Sequence, residues 1–186
     1  MSGTIRLVQE RIMTNPVINI ADIEFIDWGR GAERPGAGVA PEKYKAQLGY
    51  VAPKIGAQKL GYNITVLAPG KAAFPAHSHR VNEEMFFVLE GQGELRVGDK
   101  TYPVKQGDFI ACPPGGPETA HQIYNNSPAD LKYLAVSTMM SPEIAEYPDS
   151  GKTGVYHMRT DADGKPDPWR YISRVDGGTV PYWDGE

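Results

Sequence analysis

Between residues 58 and 140 the chain is a succession of short apolar runs, each cut off by Gly, Pro, Asn or Asp before it can make a helix. In order they are KLGYNITVLA, EMFFVLEG, GELRVG, KTYPV, DFIAC, HQIYN and LKYLAVSTM. Short runs rich in β-branched and aromatic residues, bounded by turn formers, read as strands. No helical pattern of roughly 10–15 residues separates them, so nothing is available to carry the chain between parallel strands. The strands must close on one another as an antiparallel sandwich or barrel. The spacing predicts an all-β jelly roll of eight antiparallel strands with little helix.

The chain divides into three regions. Residues 1–45 form an N-terminal arm, in which PVINIADIEFIDWG is expected to pair as an edge strand or lie across a sheet. Residues 1–12 look unrelated to the rest of the chain, which leaves Met1 and Met13 as alternative starts. Residues 46–140 make the barrel. Residues 141–186, rich in Pro, Asp and Gly, carry Trp169, Tyr171, Tyr182 and Trp183, aromatics that predict a tail wrapping back onto the barrel. Several functions are disfavoured by what the chain lacks. A net charge of -4 with interleaved signs gives no basic stripe for nucleic acid. No apolar run reaches membrane-spanning length, and MSGTIRLVQERIM lacks the apolar centre of a signal peptide. One cysteine makes no internal disulfide. The expectation is a cytoplasmic protein.

The chemistry concentrates in FPAHSHRVNEEMFFVLEG. In a strand, His77 and His79 share a face while Ser78 points away, so the two imidazoles can chelate one ion. Glu84 lies an odd number of residues beyond His79 and needs a turn within RVNE, which Asn82 suits. In EMFFVLE both faces are apolar, so this strand is expected to be covered on both sides. A carboxylate at its start needs a partner, and a metal supplies one. In TAHQIYNN, strand parity groups Thr119, His121 and Ile123, which offers His121 as a fourth ligand. Three imidazoles and one carboxylate suit one divalent ion among Zn, Fe, Mn, Ni, Co and Cu. An octahedral ion would keep about two adjacent positions for water, substrate or dioxygen.

These residues resemble a known family. Gly70, His77-Ser78-His79, Glu84 and Gly91 resemble the first cupin motif, and Gly107, Pro113, Gly115, His121 and Asn125 the second. Fifteen residues separate the two, as in compact microbial cupins. One extra residue before His77 and about three before His121 fall in loops. The resemblance implies a cupin double-stranded β-helix over about residues 58–138, with the metal on His77, His79, Glu84 and His121. The flanking PVINIADIEFIDWG, KIGAQKLGYNITVLAPGK and PYWDGE resemble a little-characterised group of bacterial cupins, some labelled sugar-phosphate isomerases. Such a label is analogy, because the fold does not fix the function.

Other residues have plainer explanations. Three of only four histidines occupy the ligand spacings, so chance alternation is a poor account of them. Glu83 rivals Glu84 by one position. His157 reads as structural or surface, Cys112 as a small strand residue, and Asn125 as turn-forming or close outside the ligands. GKT at 151–153 is no phosphate loop, since Glu146 stands where glycine is needed. The sequons at Asn63 and Asn125 would matter only in a secreted protein. Two enzyme chemistries fit the ligand set: isomerisation of a sugar or sugar phosphate, and non-haem dioxygenation. A non-catalytic cupin that binds or senses a small ligand is the alternative. A phosphate would need basic residues at the pocket mouth, for which Arg80, Lys71 and Lys54 are the candidates. The arm and the two-sided EMFFVLE strand predict a homodimer.

Overall fold

The longest apolar runs make the centre of the main sheet. In the computed structural model, which describes residues 15–29, 40–161, 163 and 165–174, KLGYNITVLA supplies β3 (Leu60–Leu67) and LKYLAVSTM supplies β10 (Leu131–Thr138). They pair antiparallel along their full length, Leu131 opposite Leu67 and Thr138 opposite Leu60. EMFFVLE becomes β5 (Glu84–Glu90) on the other side of β10, and DFIAC becomes β8 (Phe109–Cys112) beyond it. The period of two then sorts the side chains. Leu67, Phe86, Val88, Leu131 and Tyr133 turn inward and are buried, joined by Leu95, Val104 and Ile123 from the facing sheet. Each such apolar side chain contributes about 1.5–3 kcal/mol of burial.

The sheet is completed on its far edge by β2 (Ala46–Tyr50) and by β1 (Ile26–Trp28), giving the order β1-β2-β3-β10-β5-β8. The arm thus adds an edge strand, with Trp28 Nε1 donating to the Ala73 carbonyl at 3.1 Å. Facing it are a three-stranded sheet and a four-stranded one. The first consists of β6 (Gln92–Val97), β7 (Lys100–Lys105) and β9 (His121–Tyr124) in the order β7-β6-β9. The second runs β13-β12-β11-β4, from β4 (Ser78–His79), β11 (Glu143–Tyr147), β12 (Lys152–Thr160) and β13 (Pro166–Arg174). Among the described residues the helical elements are four short 3-10 turns.

The fold is the expected all-β jelly roll, with three differences. Thirteen strands rather than eight are present among the described residues: residues 46–140 hold nine, β2 to β10, and the arm and the chain after residue 142 add four. The outer face of β5 is not fully covered: Met85, Phe87 and Leu89 are half-buried while Phe86 and Val88 are buried. Thr119 does not share a strand with His121, since Pro117–Thr119 is a 3-10 turn and β9 begins at His121. Proline at the start of PET favours that turn over an extended entry. Tyr182, Trp183 and the alternative starts lie outside the described residues.

Candidate metal centre

The site lies where three strand ends meet. His77 and His121 are joined through the backbone, His121 N–H donating to the His77 carbonyl at 2.9 Å and His77 N–H returning a 3.2 Å bond. This bridge splices the end of β4 onto β9 and brings the two imidazoles side by side, ring centroids 5.0 Å apart. His79 follows on β4, its ring 5.0 Å from that of His77, while Ser78 between them is turned away and buried. The chain then turns through Arg80–Glu83. Asn82 pins this turn, its Oδ1 accepting from Thr138 Oγ1 at 2.8 Å and Met140 N–H at 2.7 Å. The turn changes the parity, so Glu84 enters β5 facing inward and Glu83 is exposed.

All four sequence candidates are therefore brought together. A nitrogen of His77, a nitrogen of His79 and an oxygen of Glu84 lie within 4.8 Å of one another. Glu84 Oε2 is 2.9 Å from His121 Nε2 and 3.5 Å from His79 Nε2. Donors around an ion with bonds of about 2.0–2.2 Å sit at comparable mutual spacings. The decisive detail is at His79, whose buried ring nitrogens make no hydrogen bond and each lie 3.5 Å from a carboxylate oxygen, Nε2 from Glu84 and Nδ1 from Glu143. A buried polar atom left unpaired is costly. A cation at this point would satisfy it, so His77, His79 and Glu84 fit a metal ion, with His121 against them.

The electrostatics have the same origin. Burial is the largest influence on His77 and, with His121 close by, pushes its pKa down to about 4, so the ring is neutral and able to ligate. Burial also opposes the charge on His79, but the Glu84 and Glu143 carboxylates outweigh it and raise the pKa. Glu84 is pushed up by burial and pulled down further by His121 and His79, ending well below the usual carboxylate range. Cys112, opposite Glu84 across β5 and β8, has its thiol pushed up to about 12 by burial and by that carboxylate.

The remaining candidates lie elsewhere. Asn125 ties a loop rather than touching the imidazoles, and the half-buried His157 on β12 bonds Ser141 Oγ at 3.0 Å. Arg80 pairs with Glu146 at 2.8 Å and Lys71 with Glu42 at 2.9 Å, while Lys54 is exposed on the 3-10 turn Ala52–Ile55. Two neighbours of the site escaped the sequence reading. Tyr147 stacks on His77, centroids 6.0 Å apart. The buried Glu143 approaches His79 Nδ1 to 3.5 Å. The signal for Glu143 was present: a carboxylate opening the strand EIAEY on the face shared by Ala145, the pattern already recognised at Glu84. Beside Glu84 a cleft of about 400 Å³ opens, with Tyr50, Pro53, Tyr62, Asn63, Ser137 and Met139 on its walls.

A sequence profile described as "Cupin domain" matches residues 63–137, the stretch that holds β3 to β10 and all four candidate ligands. This segment is a cupin domain. The cupin barrel and its flanks superpose on a solved Silicibacter pomeroyi protein named as a sugar phosphate isomerase from a cupin superfamily. The TM-score is 0.69 at 26% identity, over 90% of this chain and 98% of the other. An uncharacterized protein of Methanocaldococcus jannaschii is 38% identical over 61 residues, which is 33% of this chain and 46% of that protein. An oxalate-binding protein of Thermotoga maritima is 31% identical over 74 residues, 40% of this chain and 58% of its own length. The match thus spans about half the length of these two relatives.

Proposed function

We propose that this cupin is a divalent-metal-dependent enzyme, with His77, His79, Glu84 and His121 as ligands and a small oxygen-bearing molecule as substrate. The observation that carries the reading is the buried, unpaired His79 imidazole facing a carboxylate and two further imidazoles, beside an open cleft. The bound ion would act as a Lewis acid on a substrate carbonyl. Tyr50, Tyr62 and Asn63 on the cleft wall offer hydroxyl and amide groups that can orient substrate oxygens. Isomerisation of a sugar or sugar phosphate is favoured over dioxygenation by the likeness to the Silicibacter pomeroyi protein, which spans nearly all of that chain. With Arg80 and Lys71 engaged by carboxylates, Lys54 is left among the three candidates for a phosphate, which favours the neutral sugar.

Elemental analysis of protein purified without a chelating tag tests the metal. About one equivalent of ion per chain is expected. Glu84→Gln, which keeps shape but removes charge, should lose most of it, whereas Glu83→Gln and His157→Ala should retain it. If none of the four ligand substitutions changes metal content, the metal reading is wrong. Iron or copper as the native ion would turn the assignment to oxygen chemistry, and zinc or manganese would support isomerisation. A second reading, ligand binding without turnover, is favoured by the relative named an oxalate-binding protein. Solvent-deuterium exchange into small sugars at the carbon beside the carbonyl separates the two, since a binding protein produces none.

A further inference from the structure

The ring of His79 is strung between two carboxylates. Its Nε2 lies 3.5 Å from Glu84 Oε2, and its Nδ1 lies 3.5 Å from Glu143 Oε2 on β11. His77, by contrast, is fixed by a neutral acceptor, the Pro75 carbonyl at 2.9 Å from its Nδ1. Glu143 is buried, and the rest of its carboxylate is occupied by the turn that links the two ligand-bearing strands. Oε1 accepts from the backbone N–H of Arg80 at 3.1 Å, Val81 at 3.2 Å and Ile144 at 2.8 Å. Oε2 accepts from Asn82 N–H at 2.8 Å and from Asn82 Nδ2.

We propose that Glu143 is a positioning residue for the metal centre: its carboxylate accepts a hydrogen bond from the Nδ1–H of His79, which fixes the tautomer and aims Nε2 at the ion. A ligating histidine that donates its other ring N–H to a carboxylate is held in orientation and made a stronger donor, and loss of such a partner typically costs 10- to 100-fold in metal affinity. The remaining bonds anchor the same carboxylate to the turn at Arg80–Asn82, so it cannot swing away when the ion departs. Glu143 thus acts on the ion through His79. The inference rests on the metal reading above.

The test is a double-mutant cycle in Zn2+ affinity, measured by chelator competition on the full chain. Glu143→Gln should weaken Zn2+ binding by about 10- to 100-fold in the wild-type background and by less than about 2-fold in a His79→Ala background, because the route to the ion is then gone. An equal loss in both backgrounds would show that Glu143 serves the turn alone, and would overturn the assignment. Should Glu143→Gln fail to fold, nitrogen–proton NMR of the wild-type Zn2+ form decides. The expected signature is His79 bound through Nε2 with a slowly exchanging Nδ1–H; ligation through Nδ1, or a freely exchanging Nδ1–H, overturns it. A wild-type chain that takes up no Zn2+ fails the metal reading, and this inference with it. An additive cycle in a chain that does bind fails this inference only.

Discussion

Asn125 has no exposed surface and uses every polar atom it has. Its Nδ2 donates to the Leu67 and Ala129 carbonyls, both at 2.8 Å, and its Oδ1 accepts from Ser127 N–H and Oγ at 2.9 and 2.8 Å. Removing it leaves buried carbonyls without donors, each costing about 1–3 kcal/mol. Asn125→Ala is therefore expected to lower the unfolding free energy by about 2–4 kcal/mol in a denaturant titration. Metal content in the folded fraction should hardly change, since the amide does not reach the imidazoles. The buried thiol of Cys112 gives a second outcome at this scale. With its pKa pushed up to about 12 it carries almost no thiolate at neutral pH, so a thiol reagent should label it slowly in the native protein and fast in denaturant. At the level of single residues, parity alone located His77 and His79, and a turn argument located Glu84. It did not find Glu143, whose strand-opening carboxylate repeats the pattern at Glu84, because the residue lies far along the chain from the His79 ring it approaches. Asn125 was seen as a turn former, and its four bonds became visible only once the loop was closed.

The turn from β5 into β6 depends on one backbone conformation. Gly91 has φ +82°, and a Cβ there would sit 2.3 Å from the Asp130 carbonyl oxygen. Left-handed φ and backbone contact compound each other, so Gly91→Ala should cost more than about 1 kcal/mol, read as a lowered Tm. Both β5 and the loop before β10 would have to shift. Strands were readable wherever apolar runs alternate between turn formers, and β3, β5 to β8, β9 and β10 all coincide with such runs. Hidden strands were those that break the composition rules. Pro166 and Pro168 made the segment after residue 160 look like loop, yet β13 lies at a sheet edge, where a missing N–H does no harm. Pro103 in β7, also at an edge, obeys the same rule.

Across the whole molecule, apolar side chains remain on the outside. Phe109 is 75% exposed, its ring tilted against Phe87 at 4.5 Å on the outer face of β5 and β8, and Met158, Trp169, Tyr171 and Ile172 are exposed on the β12–β13 hairpin. We propose that a second copy of this chain covers part of this surface, as the sequence led us to expect. Multi-angle light scattering should return a dimer mass, and a monomer mass over a wide concentration range would refute it. Among the described residues no helix is long and apolar enough to cross a membrane. The connectivity of the site reaches further. His79 sits on a strand whose sheet is otherwise built from residues beyond 142, and the carboxylate beside its ring is Glu143. A chain emerging from the ribosome presents His77, His79 and His121 before Glu143 has been made. The surroundings of the His79 ring are therefore complete only once the chain beyond residue 142 has joined the sheet.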